Sequence, residues 1–162
     1  MSLVMSIRGV ALKSFFENLI FLSSISSWFF AQLIKTVIVL LNTRKKNTRE
    51  ILSIMVWRTG GMPSSHAALV SSLTTSVAFK EGIGSNLFVV SLWFALIVMR
   101  DAMGVRRSSG IQSRVLNLLG RTVADRLDVE YHPVKEVHGH APLEVVVGAF
   151  LGIFIAAAYA SL

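Results

Sequence analysis

The stretch Gly60-Gly61-Met62-Pro63-Ser64-Ser65-His66 divides the chain and decides how both sides of it are read. Two glycines and a proline end whatever helix precedes, and two hydroxyls and a histidine open a new one. Pro63 has no backbone donor and a preset φ, so it is tolerated in a first helical turn. Ser64 and Ser65 are good capping residues there. The free N–H groups of that turn, with the helix dipole behind them, favour an anion such as phosphate. His66 then stands where it could hand a proton to the bound group. The plainer reading is a glycine-rich turn with an ordinary cap and an incidental histidine. The remainder of the chain decides between them.

Downstream of the turn, residues to about Phe79 read as a helix rich in Ala, Ser and Thr, small residues that suit close packing inside a membrane bundle. A tight turn at 80–86 follows, and 87–99 returns as an apolar span. Upstream, 14–41 is an apolar run long enough for one tilted span, since about 20 residues cross the hydrocarbon. Its serine cluster, Ser23-Ser24-Ile25-Ser26-Ser27, leaves a second option of two half-length helices in a re-entrant hairpin. Lys35 interrupts this run and either snorkels to the interface or faces a polar site inside the bundle. The connector 42–50 carries Arg44, Lys45, Lys46 and Arg49, and a short amphipathic approach at 51–57 leads to Arg58.

After the return span the chain turns polar from Arg100 to Gly110. A helix-compatible stretch from Ile111 to about Leu127 comes next, then a charged loop through Lys135. This insert, about 107–137, is the part that resembles a soluble subdomain. Val137-His138-Gly139-His140-Ala141-Pro142 then leads into an apolar helix over 143–160, where Gly148 and Gly152 have the spacing of helix–helix packing.

Composition agrees with this division. The chain has 162 residues, one domain by length, with 53% hydrophobic residues and a mean hydropathy of +0.63. Such apolarity is typical of membrane proteins. The net charge of +7 concentrates basic groups on little polar surface. That excess suits anionic head groups or a phosphorylated substrate, and the hydrophobicity argues against nucleic acid as a partner. No cysteine is present, so disulfide and thiolate chemistry are excluded. No cleavable signal is expected at the N-terminus. The expected fold is all-α, a polytopic membrane helical bundle with a short polar insert between the last two spans. Homo-oligomerisation is left open.

The two polar regions flank a helical hairpin and therefore share one side of the membrane. Both are rich in Arg and Lys, so the positive-inside rule predicts the cytoplasmic face. The chemistry-bearing residues Arg58, Ser64, Ser65, His66, Arg106, Arg107, His138 and His140 all fall there or at a helix end facing it. His140 precedes a helix-starting proline, and Glu144 lies four residues beyond it. If the helical turn begins by His140, the carboxylate can hold one ring nitrogen and leave the other as an attacking lone pair. Alternatively Glu144 simply complements the positive end of its helix. Arg106 and Arg107 could bind phosphate oxygens, or serve as ordinary positive-inside arginines. No Asp, Glu and His cluster has metal-ligand spacing, and no cofactor is expected.

The three blocks GGMPSSHAALVSSL, RDAMGVRRSSGIQSRVLNLL and HGHAPLEVVVGAFLG resemble the signature blocks of the divergent branch of the type 2 phosphatidic acid phosphatase superfamily. That superfamily includes lipid phosphatases, bacterial acid phosphatases and vanadium-dependent haloperoxidases. The resemblance covers about residues 30 to 155 and implies a metal-independent phosphohistidine mechanism on an all-helical bundle. It assigns the general acid to His66 and the nucleophile to His140, paired with Glu144 where the wider family has Asp. It also implies a phosphate pocket. The chain has no Arg-Pro dipeptide for the usual first motif, so Lys35 and Arg58 stand in as candidates. Val134 occupies the place of the arginine six residues before the nucleophile, and Arg106 or Arg107 would have to fold back to replace it. The expected function is hydrolysis of a lipid phosphate or diphosphate, with membrane lipids as partners. A non-catalytic protein that binds phospholipid head groups or a partner through the same anion site is the alternative. Haloperoxidase activity would require bound vanadate and ranks third.

Overall fold

A computed structural model of the chain describes residues 12–42, 61–136 and 139–162. Helix α1 is Leu19–Asn42, α2 is Ser65–Glu81, α3 is Asn86–Met103, α4 is Val105–Leu127 and α5 is Pro142–Ala160. A helical turn at 12–16 precedes α1, and no strand occurs among the described residues. Among the described residues, three helical runs are long and apolar enough to cross a membrane: Leu19–Leu41, Asn86–Leu127 with its apolar part in α3, and Pro142–Ala160. The architecture is an all-α polytopic bundle.

The helix opened by Ser64 is the axis of that bundle. α2 packs against α1, α3 and α5. Ser65, Ala67, Ala68, Val70, Ser71, Ser72, Thr74, Ser76 and Val77 are buried along it. At 17 residues it is about 26 Å long, close to the hydrocarbon thickness, yet it lacks a spanning helix's apolar surface. Its surroundings are protein, so small polar residues are tolerated there, and several of their hydroxyls bond neighbouring helices. Thr74 Oγ1 donates to the Ser91 carbonyl of α3 at 3.0 Å, and the Ser76 and Ser23 hydroxyls lie 2.7 Å apart between α2 and α1.

Gly148 and Gly152 set the closest approach. A Cβ on Gly148 would fall onto the Ser64 carbonyl, and one on Gly152 onto the Ala68 carbonyl. The two helices thus press matching four-residue stripes together, as the spacing predicts. At the far end of α2, Gly82 has φ +84° and turns the chain into α3 through residues 82–85. A side chain would strain that backbone.

One alternative that the sequence left open is decided, and three boundaries differ from the sequence reading. α1 is unbroken from Leu19 to Asn42, which rules out the re-entrant hairpin. Its serines do not break the helix because they are satisfied in place. Ser24 and Ser27 bond carbonyls one turn back, and Ser26 meets the Tyr159 hydroxyl of α5 at 2.8 Å. Pro63 precedes the N-cap and lies outside the first turn. The return helix continues to Met103, and α4 begins at Val105 with only Gly104 between them. The connector at 43–60 and residues 137–138 lie outside the described residues, and with them the approach at 51–57.

Candidate active site at one end of the bundle

Every element contributes the same end. α1 arrives with Lys35, α2 starts with Ser64-Ser65-His66, α3 finishes with Asp101, α4 starts with Arg106, and α5 is preceded by His140. Main-chain hydrogen bonds tie these termini together. The Ser64 amide donates to the Glu144 carbonyl at 2.9 Å, and the His140 amide donates to the Ala102 carbonyl at 3.1 Å. Beneath them Ala67, Ala102 and Val145 form a buried apolar cluster with Met99 and Met103 packed against it.

His140 is 3% exposed, and its Nδ1 lies 2.8 Å from Glu144 Oε2. The helix starts at Pro142, two residues after the histidine, so the pair does not meet by helical register alone. Glu144 instead reaches back as the acid of a capping arrangement, accepting from the Ala141 amide at 3.2 Å with the same oxygen. Glu144 therefore makes both contacts at once. It caps the positive end of α5 and it fixes the imidazole. An ionised carboxylate only accepts, so Nδ1 carries the proton and Nε2 keeps a lone pair. Burial lowers the His140 pKa below its ordinary value; the hydrogen bond to Glu144 works against this, and the charges of Lys35 and Arg106 add to the lowering.

His66 is half-buried, and the charged groups acting on it are Arg106, His140, Lys35 and Asp101. The two histidines therefore face one cluster of cations. Ser64 is the N-cap of α2: its hydroxyl accepts from the Ala67 amide at 3.4 Å and is completely buried. Ser65 accepts from Lys35 Nζ at 3.4 Å, with Lys35 itself 4% exposed. Of the two options for Lys35, the bundle interior is the one taken. The first-turn amides of Ser65 and His66 have no acceptor within their own helix and open toward this end.

Arg106 and Arg107 separate clearly. Arg106 Nε donates to Asp101 Oδ2 at 2.7 Å, which anchors the guanidinium within electrostatic reach of both histidines. Arg107 is exposed, and its main chain is what the site uses: Gly139 sits against it so closely that a Cβ there would collide. Val134 contributes no cation. Its amide and carbonyl both bond the buried Asn117, to Oδ1 at 2.9 Å and from Nδ2 at 3.0 Å. Arg58 and His138 lie outside the described residues.

Asp101 was not among the residues singled out from sequence, although its place five residues before Arg106 in a cation-rich stretch is a usable signal. Nor was the Ala102 carbonyl, for which sequence offers none. No group of three or more His, Asp or Glu among the described residues could hold a metal ion. A groove of about 690 Å³ runs down from this end between α3 and α5. Its lining includes Trp93, Leu96, Met103, Val145, Ala149 and Phe150, with Arg100 beside them.

Comparison with known proteins places these residues in a wider context. A family described as "Divergent PAP2 family" matches residues 16–155. A curated relative, the "Uncharacterized membrane protein YuiD" of Bacillus subtilis (strain 168), is 41% identical over 149 residues, covering 85% of this chain and 91% of the relative. No solved structure matches the chain.

Proposed function

The chain belongs to the divergent PAP2 family, an integral membrane branch related to phosphatases, and from that premise we propose that it is a metal-independent hydrolase of lipid phosphates or diphosphates. The observation that carries the proposal is the His140–Glu144 pair, 2.8 Å apart, beside the cations of Arg106 and Lys35 and across from His66.

The reaction runs in two steps. Nε2 of His140 attacks phosphorus and the bond to the leaving oxygen breaks. His66, as imidazolium, gives that oxygen its proton, so a lipid alcohol departs from a monophosphate, or a lipid monophosphate from a diphosphate, and His140 carries the phosphoryl group. Neutral His66 then takes a proton from water, the hydroxide attacks phosphorus, and inorganic phosphate leaves with His140 restored. Glu144 stabilises the positive imidazole that develops during attack. Arg106, Lys35 and the first-turn amides of α2 meet the charge on the phosphoryl oxygens. Cations in a partly buried site supply the neutralisation that a metal would otherwise give.

The groove between α3 and α5 supports a lipid as the substrate. It is lined by apolar side chains, opens on the outer surface of two spanning helices, and reaches Met103 and Val145 directly beneath the histidines. A phosphate at the cations and a hydrocarbon chain in the groove satisfy both environments.

The non-catalytic alternative is favoured by one feature, the backbone role of Val134 where a cation would be expected. Arg106 compensates for it from another element. The test is phosphate release by purified protein from a panel of prenyl and glycerol lipid phosphates, with His140→Ala as control. Release that disappears in the variant is the expected result. Tight lipid phosphate binding with no release from any member of the panel would favour the binding protein.

A further inference from the structure

α4 is amphipathic, and its apolar side is the one left uncovered. Among the described helices it meets only α3. Ile111, Val115, Leu118, Leu119, Val123 and Leu127 are between 49% and 67% exposed. The covered side is polar. Asn117, 5% exposed, is bonded to both main-chain groups of Val134 and to Glu136 and the Tyr131 hydroxyl, and the Tyr131 ring closes over Gly120. The segment 128–136 thus runs back along the polar face. In a water-exposed domain these roles are reversed.

The breadth of the apolar face decides what could cover it. At 100° per residue it extends from Leu118 and Ile111 on one edge to Leu116 and Leu127 on the other, about half the helix circumference, with Thr122, Gln112 and Arg126 interspersed on it. A helix–helix seam needs a narrow stripe with heptad spacing. The best heptad register through α4 is Val105, Ser109, Gln112, Leu116, Leu119, Val123 and Arg126, interrupted by three polar residues. A second copy would therefore meet a broken seam. A bilayer surface accepts a broad face without register.

Charge and position agree. α4 carries five arginines (Arg106, Arg107, Arg114, Arg121 and Arg126) against one acid, Asp125. Arg107 and Arg114 stand one turn before Ile111 and Leu118, so they border that edge of the apolar face. The helix starts one residue after the membrane-spanning α3, and the backbone departs from helical values at the joint, Gly104 (φ −99°, ψ −84°). Low overall hydropathy, a broad apolar face and an arginine-rich polar one describe an interfacial helix.

We propose that α4 lies in the bilayer surface, with its apolar face among the upper acyl chains and Arg107, Arg114 and Arg121 toward anionic head groups. Its first turn holds Arg106, so the bilayer surface becomes part of what fixes that arginine at head-group height. The proposal rests on α3 being a span and does not depend on the catalytic reading.

The chain has no cysteine, so single cysteines can be placed at Val115 and Leu119 on the apolar face and at Arg121 on the opposite one. Each variant of the full chain is labelled with an environment-sensitive fluorophore in lipid nanodiscs and checked for monodisperse elution. Nitroxide lipids with shallow labels should extinguish the Val115 and Leu119 probes and spare the Arg121 probe, and aqueous iodide should do the reverse. Quenching at Val115 should deepen when phosphatidylglycerol replaces part of the phosphatidylcholine. Iodide quenching at Val115 equal to that at Arg121 would place the face in water and overturn the proposal. Disulfide-linked dimers of the Val115 variant without lipid quenching would assign the face to a second copy. If the Val115 variant elutes as aggregate, the same readout at Leu118 and Val123 carries the test.

Discussion

The main-chain amide of Ser64 and the main-chain carbonyl of Glu144 are hydrogen-bonded at 2.9 Å. Ser64 caps the helix that bears His66, and Glu144 holds the ring of His140. One bond therefore ties the His66 side of the site to the His140 side, independent of any side chain. Gly148 sits one turn beyond Glu144 and has no side chain because the Ser64 main chain occupies that space. Fold and site share these contacts, so a change in packing here is a change in the geometry of the candidate site.

The acid–histidine pair gives the first prediction. Glu144→Gln retains an oxygen that can accept from Nδ1 but removes the charge that stabilises a positive ring. It should lower kcat with KM changed by no more than about twofold, the mark of an interaction made mainly in the transition state. His140→Ala should abolish turnover. Phosphate-release kinetics on a single lipid phosphate measure both, and a Gln variant with wild-type kcat would remove Glu144 from the mechanism.

His66 is tested by the leaving group. General acid help is worth about 10²–10⁴-fold, and it is needed only when the departing oxygen is a poor leaving group. His66→Ala should therefore slow release from an alkyl phosphate far more than from an aryl phosphate with an acidic phenol. Equal losses on the two would assign His66 to binding.

The pH dependence follows from His140. Burial holds its pKa below the usual 6.5, against the opposing hydrogen bond from Glu144. In the proposed mechanism the neutral ring is the nucleophile, so the acid limb of kcat/KM attributed to it should fall below pH 6.5. Glu144→Gln removes a contribution that raises the pKa, so that limb should move to still lower pH. The stability effect has the same direction. The unfolded chain binds this proton more readily than the folded one, so the stabilisation is complete above 6.5 and is lost as pH falls through the folded value. An acid limb above 6.5 that survives His66 substitution would contradict the assignment.

Much of this was legible in the sequence, and the limits have physical causes. α2 and α5 could be read because a glycine–proline break, hydroxyl caps and small-residue spacing all act locally. α4 was read as starting at Ile111 because Arg106-Arg107-Ser108-Ser109-Gly110 has loop composition. What keeps those residues helical is long-range or crosses the Gly104 joint: the Asp101–Arg106 ion pair and the packing of Gly139 on Arg107. Lys35 was undecided because an intramembrane cation can go either way, and its direction is set by Ser65, thirty residues distant. The two adjacent arginines could not be ranked without knowing they were helical. Once they are, neighbours lie 100° apart and only one can face the histidines.

Packing at the glycine stripe gives a prediction about stability. Gly148→Ala and Gly152→Ala each place a methyl group on a carbonyl of α2, and overpacking of this kind costs about 1–3 kcal/mol. Thermal unfolding in a mild detergent should occur at lower temperature for both. Gly84→Ala is the control, since a Cβ there meets nothing within 4 Å. If the stripe variants unfold with the wild type, α2 and α5 are not held at this distance.

The final prediction concerns which side of the membrane the site faces. Lys35, Ser65, Ala102, Arg106 and His140 are gathered at one end, while the turn at 82–85 closes the other. Arg100 lies in the last turn of α3 at the site end and Arg106, Arg107, Arg114, Arg121 and Arg126 follow that helix, while Arg44, Lys45, Lys46 and Arg49 precede α2 in the sequence. The positive-inside rule places such a concentration in the cytoplasm. Two exposed positions report it in this cysteine-free chain: His132, in the segment returning along α4, and Gly84, in the opposite turn. With an impermeant thiol reagent on intact cells, Gly84→Cys should label directly and His132→Cys only after permeabilisation. Reversed labelling would leave the bundle as described and turn the catalytic end outward. Labelling of both from one side would break the bundle itself, because α3 could not then cross the membrane between them, and His66, Arg106 and His140 would lose the shared end on which the mechanism depends.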